Sequence, residues 1–238
     1  MKTFILHYTP LTERKTHMDN IIKDHKLDSS YVLNYDKEDM TDLDKEIFDF
    51  NRVWQNRTLY LSNASLICKH LEAYKRIVDE NLDYGLILED DVVLKDDFTE
   101  KIEEYYKQLP ENWDILFVGD GFKGGLRVPQ RVIDELGGNV FLKDNNGTSA
   151  KMRSETGWPV CAGSTRCSDS YLIKKETAQR ILNYVNNIRT TKRHKITHPS
   201  DLWMNGLFKN LNFKVYWAEP TLSTQGTENG LFKSAHGV

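Results

Sequence analysis

Short apolar runs alternate with helical patterns along the first half of the chain. Runs of mostly apolar residues predict buried strands at 2–8, 31–35, 84–88 and 114–118. The clearest helical pattern between them is an apolar stripe at three-to-four spacing, formed by Leu66, Ile67, His70, Leu71, Tyr74, Ile77 and Val78. Strands that alternate with helices are typical of an α/β domain with a mainly parallel central sheet and helices on both faces.

Polar residues that can cap helices indicate where the helices of this half begin. The segment 36–44 is polar and acidic and has no helical or strand period, so a loop is expected there. Three helices are expected to begin at Thr12, at Ser62 or Asn63, and at Asp96 or Asp97.

The periodic pattern breaks after Gly119. Residues 120–168 are rich in Gly, Asn, Lys and Arg, and a loop this long inside a domain is usually functional or mobile. No shift in composition marks a second domain, so residues 1–238 are predicted to form a single one. After the loop we expect a strand at 170–173, a helix at 175–189, a helix opened by Pro199, Ser200 and Asp201, and a strand at 213–219.

Composition narrows the function more than the fold. The 238 residues are 39% hydrophobic and 28% charged, which suffices for one sizeable core. A net charge of -3 gives no sign of a general nucleic-acid binder. The N-terminal apolar run is too short for a signal-peptide core, and no apolar stretch is long enough to span a membrane.

Cysteine usage indicates the compartment. An odd number of cysteines without a signal peptide suggests reduced thiols and a cytoplasmic protein, with peripheral contact at the inner membrane face left open. A disulfide between Cys161 and Cys167 is the alternative for two of the three cysteines, Cys68, Cys161 and Cys167.

Three consecutive carboxylates, Glu89, Asp90 and Asp91, follow directly after the buried strand 84–88. Ligands of open α/β sheets bind beyond the carboxyl ends of the strands. Because side chains alternate along an extended segment, Glu89 and Asp91 are expected to face the same way. Two carboxylates on one side suit a hard divalent ion such as Mg²⁺ or Mn²⁺. These residues alone leave a solvated surface turn open as the alternative.

Six segments, taken in their order along the chain, match one family pattern. They are SLICKHLEAYKRI (65–77), YGLILEDDVVL (84–94), WDILFVG (113–119), DSYLIKKETAQRIL (169–182), HPSDLWM (198–204) and VYWAEPTLSTQG (215–226). Together they resemble glycosyltransferase family 25, which includes bacterial lipooligosaccharide glycosyltransferases and animal collagen galactosyltransferases. The Glu-Asp-Asp block is the closest match, and residues 120–168 match least.

Three positions depart from the family pattern. Ser65 stands where Gly is usual, Lys69 where Ser is usual, and Asp169 where a small residue is common. These substitutions keep open a non-catalytic protein of the same fold that binds a UDP-sugar or a glycan. A metal-dependent phosphohydrolase would also suit consecutive acids after a strand, but the chain lacks a D-x-D-x-T nucleophile motif at that place.

The resemblance implies an enzyme of the GT-A fold. Such an enzyme would move a hexose, with inversion, from a UDP-sugar to a hydroxyl of a glycan, a lipid-linked glycan or a protein. UDP-galactose and UDP-glucose are the favoured donors. The nucleotide-binding half would be about 1–119, and the acceptor-side half about 120–238.

The resemblance also implies a divalent ion, Mn²⁺ or Mg²⁺, bound by Asp91 with Glu89 and Asp90 nearby. Such an ion would act as a Lewis acid and stabilise the negative charge that develops on the leaving diphosphate. One further ligand is expected from near the C-terminus. The candidates are His236 and, as alternatives, Gln225 and Glu228.

Inversion is a single displacement, and it needs a general base for the acceptor hydroxyl. Asp201 matches the Asp of a P-V-D segment in the family and is the main candidate. An ordinary helix-capping role is the alternative for Asp201, because the residue opens a predicted helix. Asp169 and Glu155 are reserve candidates for the base.

The nucleotide is expected at the ends of the first two strands. An arginine can pair with a diphosphate and a tyrosine can stack on a base. Candidate residues for binding the donor are Thr9, Leu11, Arg14, Tyr35, Asp36, His70, Glu89, Asp90 and Gln225.

Two aromatic side chains have a competing structural interpretation. His70 lies on the apolar stripe, so it could equally be an ordinary buried histidine. Trp158, in the long loop, is a candidate platform for the acceptor, or else an apolar anchor of that loop.

Overall fold

The computed structural model describes residues 1–52, 59–121, 134, 137–142 and 167–233. The helices within them are α1 (Thr12–His25), α2 (Asp42–Lys45), α3 (Leu61–Asp79), α4 (Phe98–Tyr106), α5 (Lys175–Thr191) and α6 (Ser200–Asn210). The strands within them are β1 (Lys2–Leu6), β2 (Asp28–Val32), β3 (Tyr84–Glu89), β4 (Val92–Leu94), β5 (Ile115–Phe117), β6 (Val140–Leu142), β7 (Ser170–Lys174), β8 (Val215–Ala218) and β9 (Ser223–Gln225).

The central sheet has the strand order β2-β1-β3-β7-β5-β8-β6. Strands β2, β1, β3, β5 and β8 point the same way, whereas β7 and β6 run antiparallel to their neighbours. The prediction of a mainly parallel sheet is therefore confirmed. The carboxyl ends of β2, β1 and β3 meet at one edge, which is where such sheets place ligands.

Helices cover both faces of the sheet, as predicted. Because side chains alternate along a strand, Phe4 and Ile87 pack toward α3, α5 and α6, while Ile5 and Leu88 pack toward α1 and α4. All four of these side chains are completely buried. Two apolar layers thus hold the sheet rigid behind the edge where the carboxylates lie.

A second, two-stranded sheet joins distant parts of the chain. Strands β4 and β9 pair antiparallel, with Val92 opposite Gln225 and Leu94 opposite Ser223. Just beyond this pairing, the backbone N–H of Gly226 donates a hydrogen bond of 2.6 Å to the carbonyl oxygen of Asp91. The small sheet therefore fixes the segment after residue 223 against the three carboxylates.

Several local predictions were wrong. The second strand covers Asp28–Val32 rather than 31–35, and the expected loop at 36–44 contains the start of α2, which Thr41 caps. The start of α3 was also misplaced, because its N-cap is Tyr60, whose backbone N–H donates to the side chain of Asn63 at 3.3 Å. In contrast, α1 begins at Thr12 and the N-cap of α4 is Asp97, as predicted. Neither N-cap residue of α1 and α4 makes a side-chain cap hydrogen bond, so packing of their apolar faces holds these two helices.

The short strands β4, β6 and β9 were not predicted. Trp158, Glu155, Cys161 and His236 lie outside the described residues. No helix in the described part of the chain combines the length and the apolar character that a membrane span needs.

We expect Gly85→Ala to destabilise the fold by about 1–3 kcal/mol, because the core cannot accommodate an added methyl group. A Cβ at this position in β3 would lie 2.6 Å from Cδ1 of Ile77 and 3.2 Å from Cε2 of Phe4, both completely buried. Urea denaturation measures the change.

Gly206→Ala is the matched control. No atom lies within 4 Å of a Cβ built at Gly206, which is an exposed position in α6. Alanine has the higher helix propensity, so this variant should gain up to about 1 kcal/mol. Equal destabilisation of both variants would contradict the packing described for β3.

Candidate active site

A cavity of about 300 Å³ opens at the carboxyl ends of β1 and β3. That volume lies at the lower end of the range for small-molecule sites. The residues proposed from the sequence that line it are Leu11, Arg14, Glu89, Asp90, Asp91, Asp201, Gln225 and Glu228. Segments that are far apart in the sequence thus converge on one concave surface.

All three carboxylates after β3 line this cavity. The argument from strict side-chain alternation was wrong in detail, because β3 ends at Glu89 and residues 90–91 form a turn. Each carboxylate instead has its own set of partners.

Asp90 is the carboxylate that the protein neutralises. Its Oδ2 accepts hydrogen bonds from Nδ1 of His7 at 2.8 Å and from the backbone N–H of Tyr8 at 3.1 Å, and its Oδ1 accepts one from Arg14 at 2.9 Å. Burial alone would raise the pKa of Asp90, but the bonds from His7 and Arg14 outweigh burial and hold that pKa below its ordinary value.

Asp91 is far less compensated. Burial and the nearby carboxylate of Glu89 raise the pKa of Asp91, although the hydroxyl of Thr227 donates to its Oδ2 and Arg14 lies 3.7 Å away. A buried carboxylate next to another carboxylate is stabilised when a cation binds between them, and its raised pKa marks it as a candidate for a functional site.

Glu89 connects the acidic turn to the start of α6. Its side chain is 20% exposed, and its Oε1 accepts a hydrogen bond of 2.7 Å from Ser168. The Ser168 hydroxyl lies 2.9 Å from that of Ser200, the first residue of α6. Since Ser168 donates to Glu89, it accepts from Ser200. This chain of hydroxyls sets the position of Asp201, the next residue, relative to Glu89.

Asp169, a reserve candidate for the base, lies behind the cavity rather than on its lining. It is completely buried, and burial together with the charge of Glu89 raises its pKa well above the ordinary value. Its carboxylate accepts hydrogen bonds from Ser170 at 2.9 Å and Gln225 at 3.3 Å. Gly119 permits this packing, because a Cβ there would lie 2.3 Å from Oδ2 of Asp169.

Arg14 binds the segment after β9 to the acidic turn. One terminal nitrogen contacts Asp90, and the other donates to the Thr227 hydroxyl at 3.1 Å and to the carbonyl of Lys233 at 2.9 Å. The guanidinium also lies 5.4 Å from the centre of the Phe232 ring. Arg14 was predicted to contact the donor diphosphate, and that role stays a prediction. The contacts described here make Arg14 an anchor for residues 227–233.

Three of the donor-site candidates lie beside the cavity but not on its lining. Thr9 donates to Asp36 through its backbone N–H, at 3.2 Å, and through its hydroxyl. Tyr35 has a φ of 68°, and its carbonyl accepts a hydrogen bond from Ser65. The structure thus brings Thr9 and Asp36 together, with each bonded to protein groups.

His70 has the environment of a buried histidine. It is completely buried, its Nδ1 lies 2.8 Å from the hydroxyl of Tyr171, and burial lowers its pKa. Its Nε2 lies 3.8 Å from Oε1 of Glu89, beyond hydrogen-bond distance, and His70 does not line the cavity.

The donor atoms of the acidic turn fit a hard divalent ion. Within the described ranges, no group of three or more His, Cys, Asp and Glu side chains is arranged to hold a metal. Mg²⁺, however, is commonly held by one or two carboxylates together with substrate phosphates. Asp91 and Glu89 line one cavity and supply such oxygens, and both burial and the charge of Glu89 raise the pKa of Asp91. Of the expected third ligands, Gln225 and Glu228 line the same cavity.

Sequence reasoning missed several residues that shape this site. His7 could have been found, because it lies near the carboxyl end of the predicted first strand, at the edge where Glu89 lies. Ser168, Ser200 and Thr227 carry no local signal, since each acts through a contact with a distant residue.

The mainly parallel sheet carries an acidic cavity at the carboxyl ends of β1 and β3, which is where such sheets bind small molecules. A family model described as "Glycosyltransferase family 25 (LPS biosynthesis protein)" matches residues 1–204, which shows that the chain is a glycosyltransferase. It belongs to glycosyltransferase family 25. This membership decides against the phosphohydrolase alternative.

Two solved structures show limited similarity. The galactosyltransferase LgtC, in complex with donor and acceptor sugar analogues, matches with 13% identity and a TM-score of 0.47, over 92% of this chain and 73% of that one. Mouse xyloside xylosyltransferase 1, in its apo form, matches with 14% identity and a TM-score of 0.37, over 90% of this chain and 63% of that one. No curated protein sequence matches the chain.

We expect Arg14→Met to destabilise the protein by about 3 kcal/mol, because it leaves the Asp90 carboxylate buried without its cation. Residues 227–233 should also loosen, so the amide of Leu231, which donates to Gly226, should exchange its hydrogen faster. Urea denaturation and hydrogen exchange measure the two effects.

The neighbouring Lys15→Met is the control. Lys15 forms an exposed pair with Asp19 on the same helix, and its loss should change stability by less than about 1 kcal/mol. Unchanged exchange at Leu231 in Arg14→Met would contradict the anchoring role.

Proposed function

We propose that this glycosyltransferase moves a hexose from a UDP-sugar to a hydroxyl acceptor, with inversion and with a divalent ion at Asp91 and Glu89. UDP-galactose and UDP-glucose are the favoured donors. The acceptor is a hydroxyl of a glycan, a lipid-linked glycan or a protein. Membership of family 25 supports the transfer of a sugar. The carboxylates of the cavity support the divalent ion, whereas the UDP-sugar donor, the favoured sugars and inversion are what the family resemblance implies.

One observation carries this proposal. The carboxylates Glu89 and Asp91 at the end of β3 and the carboxylate of Asp201 in the first turn of α6 line the same cavity. Metal-dependent inverting transfer uses two kinds of acidic group in one site: carboxylates that hold the metal ion and a carboxylate that takes the proton.

The ion would supply one function. Bound by Asp91 and Glu89, it would act as a Lewis acid toward the negative charge on the departing diphosphate. The protein's own residues do the rest: Asp90 stays ionised and bonded to Arg14 and His7, and so keeps the turn that carries Asp91 in place.

Asp201 would serve as the general base. The acceptor oxygen attacks C1 of the sugar while the bond from C1 to the phosphate oxygen breaks, and that electron pair leaves with the diphosphate. The hydroxyl proton passes to the Asp201 carboxylate. The position in the first turn of α6 favours the ionised form of this carboxylate, which keeps it ready to accept a proton but limits its basicity.

The two halves of the chain would have different roles in this proposal. Residues of about 1–119 would bind the donor, and residues of about 120–238 would select the acceptor. Trp158, as an acceptor platform, and His236, as a metal ligand, belong to this proposal although both lie outside the described residues.

The donor assay tests the metal assignment. UDP-galactose, UDP-glucose and UDP-N-acetylglucosamine are incubated with the protein, with and without Mn²⁺, and UDP release is followed. We expect release that depends on Mn²⁺ with at least one donor, and a loss of about 10²-fold or more in Asp91→Ala.

Asp96→Ala is the control for this assay, because Asp96 is an exposed carboxylate five positions further along. It should release UDP at the wild-type rate. Metal-independent release, or full activity of Asp91→Ala, would sink the assignment of the ion to this turn.

For the base, we expect Asp201→Asn to bind UDP normally and to lose transfer by about 10²–10⁴-fold, since an amide cannot accept the proton. Calorimetry with UDP and a transfer assay with acceptor extracts give the two measurements. Asp96→Asn, which removes an exposed carboxylate outside the cavity lining, is the control and should transfer sugar at the wild-type rate. Retained transfer in Asp201→Asn would rule out Asp201 as the base.

A further inference from the structure

Lys69 is a buried cation whose hydrogen bonds all go to the chain just after β2. The residue is 3% exposed, and its ammonium donates to the carbonyls of Leu33 at 3.3 Å and Asn34 at 2.7 Å and to Oδ1 of Asp36 at 2.7 Å. A lysine ammonium has three N–H donors, so these three partners use all of them. Lys69 therefore has no donor left for a ligand, although it lines the cavity.

Ser65 extends the same contact by one helical turn. Its hydroxyl donates to the carbonyl of Tyr35 at 2.5 Å. Residues four apart lie on the same face of a helix, so one face of α3 holds three consecutive carbonyls, those of Leu33, Asn34 and Tyr35. The segment 33–36 is thus fixed to α3 by polar contacts.

Asp36 connects this segment to the residues that follow β1. While Oδ1 pairs with Lys69, Oδ2 accepts hydrogen bonds from the backbone N–H and the hydroxyl of Thr9. The connected residues Lys69, Asp36 and Thr9, which we call the buried brace, join α3 to the chain that follows β2 and to the chain that follows β1.

The immediate neighbours of the brace face the cavity. Tyr8 and Lys37, which flank Thr9 and Asp36, both line it, and the Lys37 ammonium lies 5.3 Å from the centre of the Tyr8 ring. The backbone N–H of Tyr8 donates to Asp90 at 3.1 Å, so this wall adjoins the acidic turn directly. An aromatic ring next to an ammonium suits the base and phosphate of a nucleotide.

We propose that Lys69 is a positioning residue of the donor site: through Asp36 and Thr9 it holds the wall formed by Tyr8 and Lys37 in the geometry that binds the nucleotide of the donor. This inference rests on the proposed function, because it takes the ligand of the cavity to be a nucleoside diphosphate sugar. In this proposal Thr9 and Asp36 act on the nucleotide indirectly, through the position of Tyr8 and Lys37, because their own hydrogen bonds lie within the buried brace.

The charges of the brace permit a test that separates positioning from mere stability. Lys69 and Asp36 are almost completely buried, so removing either one alone leaves an unpaired buried charge. Lys69→Met and Asp36→Asn should each lower the urea midpoint. The double variant removes both charges together and should unfold at a midpoint no lower than that of either single variant.

The decisive measurement is calorimetric titration of UDP in the presence of Mn²⁺, together with donor KM and kcat. We expect the double variant to bind UDP roughly tenfold or more weakly, because small displacements of a positioned wall are costly. Its donor KM should rise while kcat at saturating donor stays near that of the wild type. Lys75→Met, which removes an exposed ion pair on the same helix, is the control and should change none of these values.

The outcomes are distinguishable. Wild-type affinity for UDP in a stable double variant would overturn the inference while leaving the proposed function intact. Failure of the wild-type protein to bind UDP, ADP, GDP or CDP with Mn²⁺ would overturn the proposed function and the inference with it. Weak UDP binding that recovers fully when stability recovers would reduce the brace to a structural role.

Discussion

The site depends on how three adjacent carboxylates are kept together at the end of a buried strand. The protein neutralises only one of them, because Arg14 and His7 bond to Asp90 and hold its pKa down. Glu89 and Asp91 then carry excess negative charge in a poorly hydrated place, and the raised pKa of Asp91 reflects it. A fixed, neutralised aspartate beside two under-compensated acids is an arrangement suited to holding a cation against a phosphorylated ligand.

Single side chains also fix the walls of the cavity around this turn. Arg14 bonds to Asp90 and to the segment after β9, so one side chain closes the acidic turn from the C-terminal side. Lys69 plays the equivalent part on the opposite wall, where it joins α3 to the residues after β2. Ser168 and Ser200 link Glu89 to α6. Each wall of the cavity is thus fixed by a buried polar contact between segments far apart in the sequence, which rigid apolar layers behind the sheet make possible.

The fold could be predicted where buried positions recur in the sequence with the period of a helix or strand. Site residues could be predicted only where they directly follow such a helix or strand. The apolar runs of β1 and β3 and the stripe on α3 predicted an α/β sheet with helices on both faces, and Glu89, Asp90 and Asp91 were located because they follow β3 directly. The second strand was misplaced because its sequence, DSSYV, is polar while the next residues are more apolar. Thr227 and Ser168 could not be found, since pairing across the chain leaves no local pattern. Thr9 and Asp36 lie beside the cavity, and their predicted contact with the donor stays a prediction. A sequence does not show that a carboxylate is already bonded to a buried lysine.

The bond between Thr227 and Asp91 spans 136 positions of the chain, and β9 pairs with β4 over a similar interval. During synthesis the ribosome exposes the Glu-Asp-Asp turn long before the residues that complete it. A nascent chain therefore presents these acids to solvent, with neither Thr227 nor the small sheet in place, and such long-range closure is among the slower events of folding. The capacity for sugar transfer is consequently acquired late, so partly made chains hold an incomplete site.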